Sequence, residues 1–369
     1  MSGISYRKGA VSIFVVVFTA LLITIVTVSF VRLMIRDQQR ASDNDLSKSA
    51  YDSALVGVED AKRALARYYA LDPGVRPTNL GDCNGITGLL TGTPSSAEVP
   101  VQTNAAADAA LNQAYSCVRV YTQTEDYERP MRADETVLVP LRSTGAFDRL
   151  QLQWFADSDL ASGTPIDLPS GTSELSTTWP AGRPPVVETQ FIQTNTNFNL
   201  DQFDDMAGTN SNSNTLFLYP KALASTPTIS FTSDTRRSPK TTVTDVRCQP
   251  SFASKYLCAA MINLPNPVGG TVGSRNKVFL RVTPRYKAAQ VRVSLYMGAA
   301  TTPVPFDGAQ PRIDSTGRAN DLFRRISARV EVGTNIAYPE AAVDVSGNFC
   351  KTFTVTDDAG DYDRGTCLP

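Results

Sequence analysis

Six cysteines and no histidine bound the chemistry open to this 369-residue chain. Without imidazole there is no histidine triad, no histidine zinc site and no side chain whose ordinary pKa suits general base work near neutrality. The cysteines fall as three pairs of sequence neighbours, Cys83 with Cys117, Cys248 with Cys258 and Cys350 with Cys367, although spacing alone leaves the connectivity open. None has the CxxC spacing of a zinc or redox site, so disulfides in an oxidising compartment are expected. Two acidic clusters invite a cation. Asp357, Asp358, Asp361 and Asp363, with Gly360 among them, could offer calcium several carboxylate oxygens, and Asp157, Asp159 and Asp167 form a sparser set. Neither matches an EF-hand loop, and acidic loops are commonly just solvated; no cofactor is expected, with calcium at the first cluster as the one alternative. Serine and cysteine nucleophiles lack a basic partner, and GxSxG does not occur. Carboxylate pairs of the glycosidase kind are distant in sequence and cannot be read here, so no enzymatic activity is expected.

Other side chains suit binding. Arg324, Arg325 and Arg329 could meet partner carboxylates or act as edge-strand charges that deter aggregation. Trp154 lies on an alternating strand pattern and is expected in the core, whereas Trp179, in a Ser/Thr/Pro-rich loop, is the better receptor anchor. Basic and acidic residues nearly cancel, 35 against 36, which argues against a nucleic-acid surface.

The elements that carry these residues begin with an apolar run. From Gly9 to Val31 there is no Asp, Glu, Lys or Arg, and about 20 such residues cross a bilayer as a helix. A secretory signal has an apolar core of about 7–15 residues and a small-residue cleavage site; here Arg32 to Arg36 follow without one. A retained anchor over residues 10–31 is expected. Arg7 and Lys8 place the amino terminus in the cytoplasm, a bias that Arg32 and Arg36 reduce, and the cysteines place the remainder outside. Past the anchor the helix continues. Leu46, Ala50, Ala54, Val58, Ala61, Leu65 and Tyr68 recur every three or four residues, the stripe of one buried face, until Pro73 and Gly74 stop it.

Beyond residue 73 short β-branched and aromatic runs alternate with turn residues. Strands are expected near Ser116 to Thr122, Thr136 to Leu141, Leu150 to Phe155, Thr215 to Tyr219, Thr228 to Thr232, Val278 to Thr283, Gln290 to Tyr296, Ser327 to Val332 and Phe349 to Val355, with a helix near Asn104 to Ala114. Gly163 to Pro185 and Gly208 to Asn214 read as polar, surface-exposed loops of a composition that permits disorder. The fold class is α+β: a long amino-terminal helix packed on a β-rich, mainly antiparallel head over residues 73–369, with a division into two lobes near 191–214.

Two stretches carry a family resemblance. RKGAVSIFVVVFTALL is similar to the glycine-terminated leader and first mature residues of type IV pilins, and SAYDSALVGVEDAKRAL to their Ala-rich second helical segment. STGRANDLFRRISARVEV, from Ser315 to Val332, resembles the stretch leading to a last long strand in PilX-like minor pilins. The resemblance implies a leader, residues 1–9, removed by prepilin peptidase between Gly9 and Ala10. It also implies a helix, residues 10–72, whose apolar face (Phe14, Val17, Leu21 and Ile25) enters a filament core. The implied partners are other pilin subunits, the pilus assembly machinery and a host or neighbouring-cell surface. The implied location is the cytoplasmic membrane first and an extracellular filament later. Major pilins of the family usually carry glutamate at the fifth mature position, where this chain has Phe14, which favours a minor subunit. Two other readings stay open: a single-span anchored ectodomain that binds a surface ligand without a filament, and a membrane-anchored hydrolase using carboxylates.

Overall fold

The structure, a computed structural model, describes residues 10–83, 85–93, 98–101, 112–193, 213–231, 243–269 and 278–331. Helix α1 runs unbroken from Ala10 to Ala70, 61 residues, or about 90 Å at 1.5 Å per residue. A 3-10 turn at Pro73–Val75 follows it. The expected stripe is the face that packs: Ala50, Ala54, Val58, Ala61 and Leu65 are buried, joined by Ser53 and Ala64.

The rest is a short helix, α2 (Gly85–Thr91), and strands: β1 (Val99–Pro100), β2 (Gln113–Thr124), β3 (Tyr127–Met131), β4 (Val137–Pro140), β5 (Phe147–Ala156), β6 (Val186–Gln193), β7 (Ser213–Lys221), β8 (Ile229–Ser230), β9 (Thr244–Arg247), β10 (Tyr256–Val268), β11 (Val278–Arg285), β12 (Ala289–Tyr296), β13 (Phe306–Ala319) and β14 (Leu322–Arg329). They form three sheets, ordered β1-β2-β13-β14, β3-β12-β5-β10-β8 and β4-β11-β6-β7-β9. Pairing is antiparallel except for β8 on β10 and β9 on β7. The architecture is α+β.

Two apolar cores result. In the first, Val58, Ala61, Ala64 and Leu65 of α1 meet Tyr115, Val118 and Val120 of β2 and Ile313 of β13, with Leu80 and Ile86 closing one end. In the second, the two five-stranded sheets face each other as a sandwich, filled by Leu150, Leu152 and Trp154 from one and Phe191, Leu218, Leu280 and Val282 from the other. β13 serves both, placing Phe306 and Ala309 in the sandwich and Ile313 under the helix. The disulfide Cys83–Cys117 pins the segment after α1 to β2, and Cys248–Cys258 ties the end of β9 in one face of the sandwich to β10 in the other. Cys350 and Cys367 lie outside the described residues.

Several expectations change. The expected lobe division near 191–214 falls between β6 and β7, which pair directly in one sheet; the change of core instead follows the layers, with β2, β13 and β14 drawn together from distant parts of the chain. Gln113 and Ala114, expected in a helix, are strand residues of β2, while Asn104 to Leu111 lie outside the described residues. Strands β1, β3, β6, β9, β10 and β13 are additional. β3 contains Pro130 and runs along a sheet edge, where a missing N–H is tolerated. β13 carries Pro311 in the irregular stretch between Asp307 and Arg312, where its pairing with β2 shifts register. The expected strand Phe349 to Val355 lies outside the described residues.

The helix comes unusually close to the sheet. A Cβ on Gly317 of β13 would stand 2.2 Å from both the carbonyl oxygen of Ala50 and the amide nitrogen of Ala54. A Cβ on Gly57 would stand 2.4 Å from Ser315 Oγ. Neither position has room for a methyl group unless the helix lifts. Gly317→Ala is therefore expected to destabilise the protein by about 3 kcal/mol through overpacking, read as a lower thermal midpoint with new protease cleavage between residues 46 and 70; wild-type stability in that variant would show that the close approach is not required.

Candidate functional site

The feature that the fold leaves unexplained is the first half of α1. Among the described residues the helix is the one element long and apolar enough to cross a membrane, and none of them covers its apolar window. Phe14 is 78 % exposed, and Val17, Leu21 and Ile25 lie between 56 % and 58 %. Their spacing of three and four residues sets them on one face, but Ile13, Val16, Ile23 and Phe30 on other faces are exposed as well. A helix apolar all round is the kind found within a bilayer or a large core. Four of its hydroxyls are already satisfied within the helix. Thr19 donates its hydroxyl to the Val15 carbonyl (2.8 Å), Thr24 to Ala20, Thr27 to Ile23 and Ser29 to Ile25, so no side chain of these four asks for water. Ala10 opens the helix, and Gly9 lies outside the described residues.

On the head, the charged candidates are exposed but already have partners within the chain. Arg324 Nε donates to Ser47 Oγ on α1 at 2.8 Å, and Arg325 pairs with Asp314 at 2.7 Å. Arg329 pairs with Asp126 at 2.5 Å and also donates to the Asp126 carbonyl. The three arginines are thus engaged within the chain, which leaves less of their charge for a partner. Asp126 is buried in the turn between β2 and β3, and accepts from Arg292 of the second sheet (2.6 Å) as well as from Arg329 of the first. Beside it the Gln310 side chain accepts from the Glu128 amide and donates to the Glu128 carbonyl. This polar joint fastens the helix-bearing sheet to the sandwich. Burial pushes the Glu128 carboxyl up, but hydrogen bonds from Lys255 and Tyr256 outweigh it and hold the pKa below the ordinary value. Asp314 is likewise pushed up by burial and drawn lower overall by Ser327 and Arg325.

Asp157, Asp159 and Asp167 do not converge on a cation. Asp159 Oδ2 already accepts from the amides of Ala156 and Gln290, each at 2.8 Å, and Asp167 is paired with Arg183 at 2.7 Å. No metal-holding group of acidic residues, cysteine or histidine occurs among the described residues, and Asp357, Asp358, Asp361 and Asp363 lie outside them. Trp154 is fully buried, with its Nε1 donating to the Pro185 carbonyl. Trp179 is half-buried and stacked flat on Tyr286, ring centroids 4.4 Å apart. The 163–185 loop is anchored by hydrogen bonds from Asp167 N to Gly182 O and from Ala222 N to Pro169 O, and Ile166 and Leu168 pack on the sandwich core. Tyr286 escaped sequence reasoning, because nothing in RYKAAQ marks it as exposed or left-handed.

Comparison with family models, with characterised proteins and with solved structures returns no match.

Two outcomes follow for the joint. Asp126→Ala leaves two guanidinium groups without their shared partner and should lower stability by about 2 kcal/mol or more in chemical denaturation. Because the folded pKa values of Glu128 and Asp314 are depressed, their contribution is present above the unfolded values of about 4 and is lost as pH falls through the folded ones; the thermal midpoint should drop below about pH 4 and hold steady from there to neutrality.

Proposed function

We propose that this chain is a minor subunit of a type IV pilus-like filament, held in the cytoplasmic membrane by α1 before assembly and displayed outside the cell afterwards. The observation that carries the reading is the split in α1: its second half is packed on the sheet through small residues, while its first half is uncovered and apolar on all faces. Lipid and the apolar interior of a fibre reward the same side chains, so one helix suits both stages. The disulfides fit a head that matures outside the cytoplasm. The leader ending in Gly9, with Ala10 opening the helix, gives prepilin peptidase its cleavage point on this reading.

Phe14 supports a minor rather than a major role. A glutamate there would supply a charge for the terminal ammonium of a neighbouring subunit; phenylalanine gives up that pairing and avoids burying a carboxylate in lipid. The head is left to meet other subunits, the assembly machinery or a surface beyond the cell.

The decisive measurement is the first residue of the protein recovered from sheared surface fibres, by mass spectrometry of the intact chain. Ala10 as the first residue in the fibre fraction is expected. Met1 retained in the membrane fraction alone would replace the filament with a single-span anchored ectodomain. Leu21→Arg places a charge mid-segment at a cost of about 2.5–3.5 kcal/mol in insertion, and should empty both the membrane and the fibre fractions; unchanged recovery would mean that this part of α1 serves neither.

A further inference from the structure

We propose that Tyr286, backed by Trp179, is a platform for a neutral carbohydrate at one end of the β-sandwich. The inference concerns the head and stands whether or not the chain enters a filament. Tyr286 lies where β11 passes into β12, from one sheet of the sandwich to the other. Its backbone is left-handed, with φ of 74°, a conformation that is a genuine outlier for a bulky residue. Such strain persists only where the surroundings impose it, and it concentrates at ligand clamps.

The surroundings here are built for the purpose. Trp179 lies parallel to the Tyr286 ring at 4.4 Å and 3°. The indole is itself fixed by its Nε1, which donates to Pro184 O at 3.1 Å, by the edge of Tyr219 and by the Arg183 guanidinium 5.2 Å from its ring. The long loop that carries Trp179 is held by its own hydrogen bonds, and ordered loops of this length are usually functional. Lys287 anchors the next position, lying 4.7 Å over the Phe155 ring and donating to the Ala181 carbonyl. Against that scaffold Tyr286 remains 40 % exposed, and no other ring or cation stacks on it among the described residues.

The chemistry of the rim selects the ligand. Arg183 is paired with Asp167, and Arg285 with Glu188 and Asp134. Lys287, on the other side of Tyr286 in the chain, is already committed to the Ala181 carbonyl and the Phe155 ring. A strongly anionic or cationic ligand would have to break those pairs, whereas a ligand bearing many hydroxyls can donate to the carboxylates and accept from the cations as they stand. A pyranose offers such hydroxyls on its rim and an apolar C–H face for the tyrosine ring, so one molecule matches both halves of the site. A proline-rich peptide would match the ring and leave the charged rim unused.

The test uses the full chain in a zwitterionic, sugar-free detergent, probed with an array of neutral and acidic oligosaccharides and with decaproline. Binding to neutral pyranosides is expected, retained in Tyr286→Phe and lowered at least tenfold in Tyr286→Gly. Glycine adopts positive φ freely, so Tyr286→Gly should keep the wild-type melting temperature while losing the ring. A second readout needs no variant. Of the two tryptophans Trp154 is inaccessible, so acrylamide quenching reports Trp179, and a bound neutral oligosaccharide should reduce it. Absence of binding to every neutral sugar, full binding in Tyr286→Gly, or a preference for acidic sugars or decaproline would each overturn the proposal.

Discussion

The approach of α1 to β13 at Gly317 is the constraint on which the rest of the molecule depends. With no side chain at Gly317 and only Ala, Ser and Gly on the facing helix turns, the helix backbone rests almost on the sheet. Such a contact tolerates little sliding, because moving α1 by a turn in either direction would bring Val58 or Leu46 onto a position with no room for a side chain. The register of the helix on the sheet is thereby fixed, and with it the point where packing ends. Among the described residues no strand lies beside the helix below Leu46, and none of them covers the apolar side chains from Ile13 to Ile35. A helix seated one or two turns differently would change how much apolar surface must be covered by something else.

The same economy of contacts explains how the head holds two cores in one unit. β13 is shared, with its first residues in the sandwich and its later ones under the helix. Where the two cores meet, the contact is polar: Asp126 between Arg292 and Arg329, and Gln310 clasping the backbone of β3. Removing either core would strand buried charges of the other, which makes the joint cooperative in a way that a purely apolar seam would not be.

What the sequence reveals depends on whether local pattern or distant contact decides the conformation. The helix and its buried stripe were legible from Leu46 to Tyr68, since a spacing of three and four admits little else, and the stop at Pro73 was legible for the same local reason. The central strands β5, β11 and β12 were legible as runs of β-branched and aromatic residues between turn residues. β13 was not, because Gly308, Pro311 and Gly317 read as breakers; each is required by a neighbour, Gly308 by Tyr69, Pro311 by a register shift and Gly317 by the helix. The lobe division failed for a related reason, since a polar stretch between β6 and β7 looks like a linker until the flanking strands are seen to pair. Trp179 was marked by its type and its loop, whereas Tyr286 needed the backbone itself, because a left-handed φ imposed by tertiary contacts leaves no trace in composition.

The hydroxyls in the apolar half of α1 argue that its environment can change without any change in the helix. Thr19, Thr24, Thr27 and Ser29 each return their proton to the carbonyl of the preceding turn. A hydroxyl that relied on water would have to be desolvated on leaving the aqueous phase, at a cost of about 1–3 kcal/mol in protein settings, and one that relied on a lipid headgroup would lose that partner on moving elsewhere. Satisfied within the helix, they require neither. Phe14 acts in the same direction, since it carries no charge whose partner must follow it. On the proposed reading, transfer of α1 from bilayer to fibre is then governed by how well the apolar surfaces fit. The strength of that step rests on the side chains from Ile13 to Ile35, and the polar atoms of the helix neither drive it nor oppose it.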